Sequence, residues 1–426
     1  MKILMFGWEF PPHISGGLGT ACFGLTRALS EIENNKIIFV VPKSYGDEDK
    51  SIVNLIGASE VEVELKMFEN LKQNIKYLEV DSNIMPYVNP KDIYLKEKEK
   101  SDRIKLLHTD HMGRIEFTGK YGPNLYEEIF NYSIVARTIA DKHDFDIIHA
   151  HDWLTYSAGI EAKKISGKPL VIHVHATDFD RSGGSVNPRV FEIEQNGMQA
   201  ADHIIAVSNL TRNTVIQKYD IPTEKVTTVY NAVEPLKVIE EIKAKRGVSE
   251  KIVTFLGRIT LQKGPEYFIE AASKVLEKTD NVRFVMAGSG DMMDKMIKRV
   301  AELKISEKFH FTGFLRGDDV FKMLDYSDVY VMPSLSEPFG ISPLEAMQSN
   351  VPVIISKQSG VSEILKHAVK VDFWDIDAMA NAILGLISYE GMSKEFKKMG
   401  KEEVENLKWD NSAQNVMNVY HKVLKH

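Results

Sequence analysis

Only one cysteine, Cys22, occurs in the chain, so no internal disulfide framework is possible and the sequence fits a reducing compartment, the cytoplasm. Positive charge is not in excess either. The 53 lysines and arginines stand against 60 aspartates and glutamates, a formal net charge of −7. Holding nucleic acid by phosphate neutralisation draws on a basic surplus, so the balance argues against that class of partner. A local basic pocket for one phosphorylated small molecule is not. Long apolar runs are missing as well. The opening Met-Lys-Ile-Leu-Met-Phe breaks at Gly7-Trp8-Glu9, which is too short for a signal-peptide core. No later run approaches the roughly 20 residues of a membrane helix. The expectation is a soluble protein of 426 residues, too long for one ordinary core and therefore two domains.

Short β-branched runs alternate with stretches of helical period. KILMFGW (2–8), KIIFVV (36–41), DIIHAH (146–151), PLVIHVHA (169–176), HIIAVS (203–208) and KVTTVY (225–230) form a first series. They are apolar almost throughout, the pattern of parallel strands covered on both faces. A helix is expected from about Thr20, with Ala21, Leu25, Ala28, Leu29 and Ile32 on one face. The pattern restarts with KIVTFLGR (251–258), VRFVMAG (282–288), FHFTGF (309–314), VYVMPS (329–334), VPVIIS (351–356) and AVKVDF (368–373). The expected fold class is α/β, with two doubly wound parallel sheets. Glu234-Pro235 introduces a Glu/Lys-rich stretch, which puts the boundary at 235 and the second domain at 236–408. Residues from about 81 to 124, including KEKEKSDRIK (96–105), read as a solvated insertion in the first domain. The final segment, 409–426, reads as a helix whose Ala413, Val416, Val419, Tyr420 and Val423 share an apolar face.

Ligands of open α/β sheets bind beyond the carboxyl ends of the strands, and four loops qualify. In PPHISGGLGT (11–20), Gly16, Gly17 and Gly19 let the backbone approach a ligand, and the next helix offers free N–H groups to a phosphate. A plain tight turn explains the same residues. A dinucleotide fingerprint fits poorly: started at Gly17 it needs glycine where Cys22 stands, and started at Gly288 it meets Met293. HAHDWLT (149–155) and HVHATDFDRSGG (173–184) each carry two histidines at a spacing of two. Such pairs suit a metal or hydrogen bonding in a cleft, and the second reading is adopted, with no metal assigned. Arg181 and Arg189 could bind an acceptor phosphate, but they read as solvated.

The fourth group is the most informative. GRITLQKG (257–264) carries Arg258 and Lys263, two cations that can converge on a diphosphate. SLSEPFGISPLEAM (334–347) sets Glu337 and Glu345 with seven residues between them. Gly340 opens a helix there, so the amides of Gly340, Ile341 and Ser342 would present a positive end to an anion. Glu337 lies before the helix and Glu345 within it, so one carboxylate reaches the near part of a ligand and the other its far part.

The Glu337…Glu345 pair in EPFGISPLE resembles the two-glutamate motif of retaining glycosyltransferases of the GT-B fold, family 4 type. GRITLQKG, Gly16-Gly17-Leu18, HAHDW and NAVE (231–234) fall where that family has counterparts, across all but about residues 60–124. Within it, WEFPP, GGLG, HDW and HATDFDRSGG resemble the glycogen-synthase-like branch, with Ile14 where glycogen synthases usually have lysine. The resemblance implies two Rossmann-like domains facing across a cleft, with the 409–426 helix crossing back to the first. It implies that Arg258 and Lys263 bind the donor's diphosphate, Glu345 the ribose and Glu337 the transferred sugar. His175 would contact the sugar's primary hydroxyl and Gly17 would underlie the phosphates, with Gly16 beside it. Asp152 and Trp153 would line the acceptor side.

The expected function is a retaining, metal-independent hexosyltransferase without a cofactor. It would move glucose from UDP- or ADP-glucose to a glucan, since no residue separates uridine from adenosine. The alternatives are a small-acceptor enzyme similar to sucrose-phosphate synthase, a nucleotide-sugar 2-epimerase, and a non-catalytic sugar-binding relative. A departing nucleoside diphosphate builds charge that fixed cations and a helix end can stabilise. A nearby carboxylate would favour the oxocarbenium character left on the sugar.

Overall fold

A computed structural model describes residues 1–14, 16–63, 113–235 and 247–425. Every strand pairing in its two sheets is parallel. The first sheet holds β1 (Lys2–Phe6), β2 (Lys36–Val41), β3 (Asn54–Gly57), β4 (Ile147–His151), β5 (Leu170–Val174), β6 (His203–Ala206) and β7 (Val226–Thr228). Their order is β3-β2-β1-β4-β5-β6-β7. The second holds β8 (Lys251–Leu256), β9 (Val282–Ala287), β10 (Phe309–Gly313), β11 (Val329–Met332), β12 (Val353–Ser356) and β13 (Val369–Val371). Here the order is β10-β9-β8-β11-β12-β13.

Alternating side chains explain why the strands read as apolar throughout. Leu4 and Phe6 of β1 face a core shared with the helices Leu125–Lys142 and Trp153–Ser166. Ile3 and Met5 face the opposite core, filled by the helices Gly17–Glu31 and Trp409–Leu424. Both faces are buried, so neither set can be polar. Strand β3 is an addition to the sequence reading, and the first helix begins at Gly17 rather than Thr20.

The described end of the expected insertion, 113–124, is largely exposed but is anchored at two points. Arg114 bridges to Glu62, and Ile115 and Phe117 are buried in the first core. Residues 81–112 of that stretch lie outside the described residues.

In both sheets the strand order reverses at one point, between β1 and β4 and between β8 and β11. The loops leaving the carboxyl ends of these strands border the crevice where such folds bind ligands. These loops meet across the molecule. Ser336, after β11, donates to Asp180, after β5, at 2.5 Å. Glu363, after β12, accepts the Asn209 and Leu210 amides at 2.9 and 2.7 Å. Its carboxylate thus sits at the positive end of the helix Asn209–Lys218.

The last described helix packs on the first domain's side. A Cβ on Gly24 would lie 2.3 Å from Trp409 Nε1, so only glycine permits this approach of the two helices. Ser412 donates to the Tyr230 carbonyl at 2.6 Å, and Tyr420 pairs with His149.

Candidate active site

The loop after β8 turns twice on glycine. Gly264 has φ of +64°, and a Cβ there would meet the Pro333 carbonyl oxygen at 2.1 Å. That close approach locks the Arg258–Lys263 loop against the loop after β11. Gln262 completes the lock. Its backbone carbonyl accepts from Leu335 N–H at 2.9 Å, its amide nitrogen donates to the Ser336 carbonyl at 3.1 Å, and its side-chain oxygen accepts from Arg258 at 3.3 Å. Gln262 is buried. It was missed in the sequence because an uncharged residue between two cations carries no signal of its own.

Lys263 Nζ donates to Glu337 Oε2, and Ser334 Oγ approaches the same oxygen at 3.3 Å. Glu337 is itself buried. Its backbone is pinned as a β-bridge to Ser359, with the Glu337 N–H bonded to the Gln358 carbonyl at 2.9 Å. Sequence placed Lys263 and Glu337 in one site, and the fold brings their charged groups into contact.

Gly340 stands outside the helix it was expected to open. It holds φ of +101°, Ile341 caps the helix, and the helix runs Ser342–Gln348. Glu345 lies one turn in, partly covered, and burial raises its carboxyl to about 7. Gly16 and Gly17 border open space at the start of the helix Gly17–Glu31, whose first turn carries no acidic residue. Ile14 packs over Gly19. His13 turns toward Asp47 at 2.7 Å.

His149 and His151 of β4, His173 of β5 and His175 just beyond β5 form one group, with neighbouring ring centroids 4.2 to 5.4 Å apart. His151 Nδ1 and His175 Nε2 are 3.0 Å apart, and Cys22 Sγ lies 3.9 Å from His175. Burial, reinforced by His149 and Arg181, lowers His175 to about 3, so its ring is neutral at physiological pH. Cys22, His151 and His175 bring potential ligand atoms within 4.8 Å of one another, as do His149, His151 and His173. No metal is assigned to either set.

Two acceptor-side expectations change. Trp153 has no exposed surface and belongs to the first core, so its ring cannot touch an acceptor. As the first residue of its helix it points inward, a direction that spacing does not reveal. Asp152 is buried, caps that helix by accepting the Trp153 N–H, and is gripped by Arg181 at 3.0 and 2.7 Å. Arg181 is likewise buried, and its second partner is Glu194 at 3.1 Å. Arg189 lies over the Tyr126 ring at 4.2 Å. Arg181 is therefore not a solvated charge, while Arg189 is partly exposed.

Two parallel-sheet domains, with Arg258, Lys263 and a buried glutamate at one switch point and a glycine-lined helix start at the other, define the α/β class of this protein. Residues 238–403 match the family "Glycosyl transferases group 1", and residues 94–235 match "Glycosyltransferase Family 4". An uncharacterized glycosyltransferase of Methanocaldococcus jannaschii is 30% identical over 99% of this chain and 98% of its own length. The chain therefore belongs to the GT-B glycosyltransferases of the family 4 type. It is 28% identical to alpha-maltose-1-phosphate synthase of Mycolicibacterium smegmatis, over 65% of this chain and 79% of that one. It is also 22% identical to glycogen synthase of Mycobacterium tuberculosis, over 85% and 80%. The sucrose-phosphate synthase structure from Thermosynechococcus elongatus superposes with a TM-score of 0.73 at 16% identity, over 100% of this chain and 99% of that one. It shares the fold. Among the described residues no helix is long and apolar enough to cross a membrane.

Proposed function

We propose that this glycosyltransferase is a retaining hexosyltransferase moving glucose from a nucleotide-glucose to an α-glucan, without a divalent metal. The observation that carries this reading is the Lys263–Glu337 contact at the β8/β11 switch point, beside Arg258. Lys263 and Arg258 take the donor's diphosphate, assisted by the amides that begin at Gly17. The charge that develops on the departing phosphate is then met by fixed cations. Glu337, freed from Lys263 as the diphosphate takes its place, stabilises positive charge at the anomeric carbon. The acceptor hydroxyl attacks from the face the phosphate leaves, and the phosphate takes its proton. His175, kept neutral, can donate one hydrogen bond to a sugar hydroxyl without adding charge. A glucan acceptor is favoured over a phosphorylated one because Arg181 and Arg189 are committed to partners inside the protein.

Incubation with UDP-glucose and ADP-glucose, against glucan and sugar-phosphate acceptors, tests the reading. An α-linked first product, followed by anomeric-proton NMR and formed at full rate in chelator, is expected. A β-linked product removes the mechanism, and loss of turnover in chelator removes the metal independence.

Glu345 supplies a pH test. As an acceptor for both ribose hydroxyls it must be ionised, and its carboxyl loses its proton near pH 7. Affinity for the nucleoside diphosphate should therefore rise between pH 6 and pH 8 in the wild type. In Glu345→Gln, the remaining pH dependence should be that of the ligand's own phosphate. Parallel calorimetric titrations of the two proteins with the diphosphate measure the difference, and identical pH curves would take Glu345 off the ribose.

A further inference from the structure

One strand outward from the Gly16–Gly17 loop, the carboxyl edge of the first sheet carries a second constructed feature. The loop after β2 exposes 45% of Tyr45. An exposed aromatic ring on a loop is ordinarily mobile, but this one is fixed from several sides. Glu48 is buried and accepts the backbone N–H groups of Tyr45 and Gly46 at 2.6 and 2.9 Å. His13, from the loop after β1, stacks on the Tyr45 ring with centroids 4.0 Å apart and a 30° tilt. His13 Nε2 and Asp47 Oδ1 lie 2.7 Å apart. Lys43 Nζ sits 5.3 Å from the ring centroid, and Tyr45 OH reaches the Thr118 carbonyl at 3.4 Å.

His13 covers one face of this rigid ring, so a sugar ring would take the opposite face, in place of any contact that the exposed Lys43 side chain makes there. The C–H face of a hexose lies on the aromatic surface, and its hydroxyls pair with polar side chains held at the rim. Because β2 lies beyond β1 as seen from β4, this platform is displaced outward from the switch point where transfer takes place.

We propose that Tyr45, His13 and Asp47 form an outlying subsite for a neutral hexose of an oligosaccharide or polysaccharide acceptor, away from the unit that receives the new sugar. The proposal rests on the glycosyl-transfer reading above and adds where a distant unit of the glucan acceptor would be held. Loss of the ring should weaken binding of the oligosaccharide several-fold to about tenfold.

Maltohexaose binding to the full-length wild type, Tyr45→Ala, His13→Ala and Asp47→Asn, followed by saturation-transfer NMR and calorimetry, tests this without turnover. The expected result is a Kd for maltohexaose raised several-fold to about tenfold in the variants. Affinity for the nucleoside diphosphate, the rate of donor hydrolysis by water and the KM for glucose as acceptor should all stay unchanged. Unaltered maltohexaose affinity in all three variants overturns the proposal, as does a wild type that binds no maltohexaose. A loss of thermal stability with no change in binding reduces Tyr45 to a loop anchor and also overturns it. Failure of the wild type to hydrolyse or transfer from any nucleotide-glucose strikes instead at the function proposed above, and the binding experiment still reports on the subsite.

Discussion

Lys263→Ala should lower turnover by about 100-fold or more while changing donor affinity much less. An ammonium aimed at a leaving phosphate interacts most strongly with the charge that appears as the bond breaks, so its removal is felt in the transition state. A 100-fold loss corresponds to about 2.7 kcal/mol. The structure adds a ground-state effect of opposite sign. Lys263 is tied to Glu337 before substrate arrives, and the diphosphate must displace that carboxylate. Deleting Lys263 removes this competition, which offsets part of the lost donor affinity and sharpens the contrast between kcat and KM. Steady-state kinetics over a range of donor concentrations measure both. If kcat stays at the wild-type value and KM alone rises, Lys263 is a uniform binding contact and its catalytic role is lost. Unchanged diphosphate binding by Glu337→Gln would show in parallel that Glu337 serves the sugar rather than the nucleotide.

How much of this was legible in the sequence depended on the range of the interaction. Strands buried on both faces announce themselves by composition, and the loops that leave them follow. Thus β1, β4, β8 and β11, with the residues at their carboxyl ends, were placed from sequence to within a few positions. Lys263 and Glu337 were assigned to one ligand from sequence, but their direct contact follows from the pairing of β8 with β11, which the sequence does not reveal. Side-chain direction at an element's first residue was not legible, so Trp153 was assigned to a cleft and lies in the core. Ile115 and Phe117 were overlooked because two apolar residues beside a charged stretch carry too little periodicity to mark buried chain. The His13–Tyr45 stack joins loops after two different strands and is a product of tertiary structure alone.

Arg181 was misjudged for the same reason, and its replacement gives the largest expected change in stability. Its guanidinium bridges Asp152 and Glu194, and all three side chains are 5% exposed or less. Glu194 also accepts from Tyr219 OH and from the Asp178 N–H. With Glu194 still largely protonated at pH 7, the buried ion pair is Arg181 with Asp152; it gains little net stability, but removing the guanidinium leaves a buried carboxylate uncompensated and typically costs about 3–5 kcal/mol. Arg181→Ala should lose stability on that scale in chemical denaturation at pH 7. Its pH dependence carries a definite sign. Burial raises Glu194 to about 8 and raises Asp152 as well, and in both cases Arg181 opposes the rise. An acid whose folded pKa exceeds its unfolded value contributes stability at low pH that disappears as the pH climbs through the folded pKa. For Glu194 that loss is complete in the wild type once the pH has passed about 8. Without the guanidinium the folded pKa values move higher, so the variant goes on losing stability after the wild type has levelled off. The gap between the two proteins should therefore widen from pH 7 to pH 9, and denaturation at both values measures it. A constant gap would mean that Asp152 and Glu194 do not take up protons when Arg181 is gone. A loss well under 1 kcal/mol would mean that the three side chains are far better hydrated than their burial indicates.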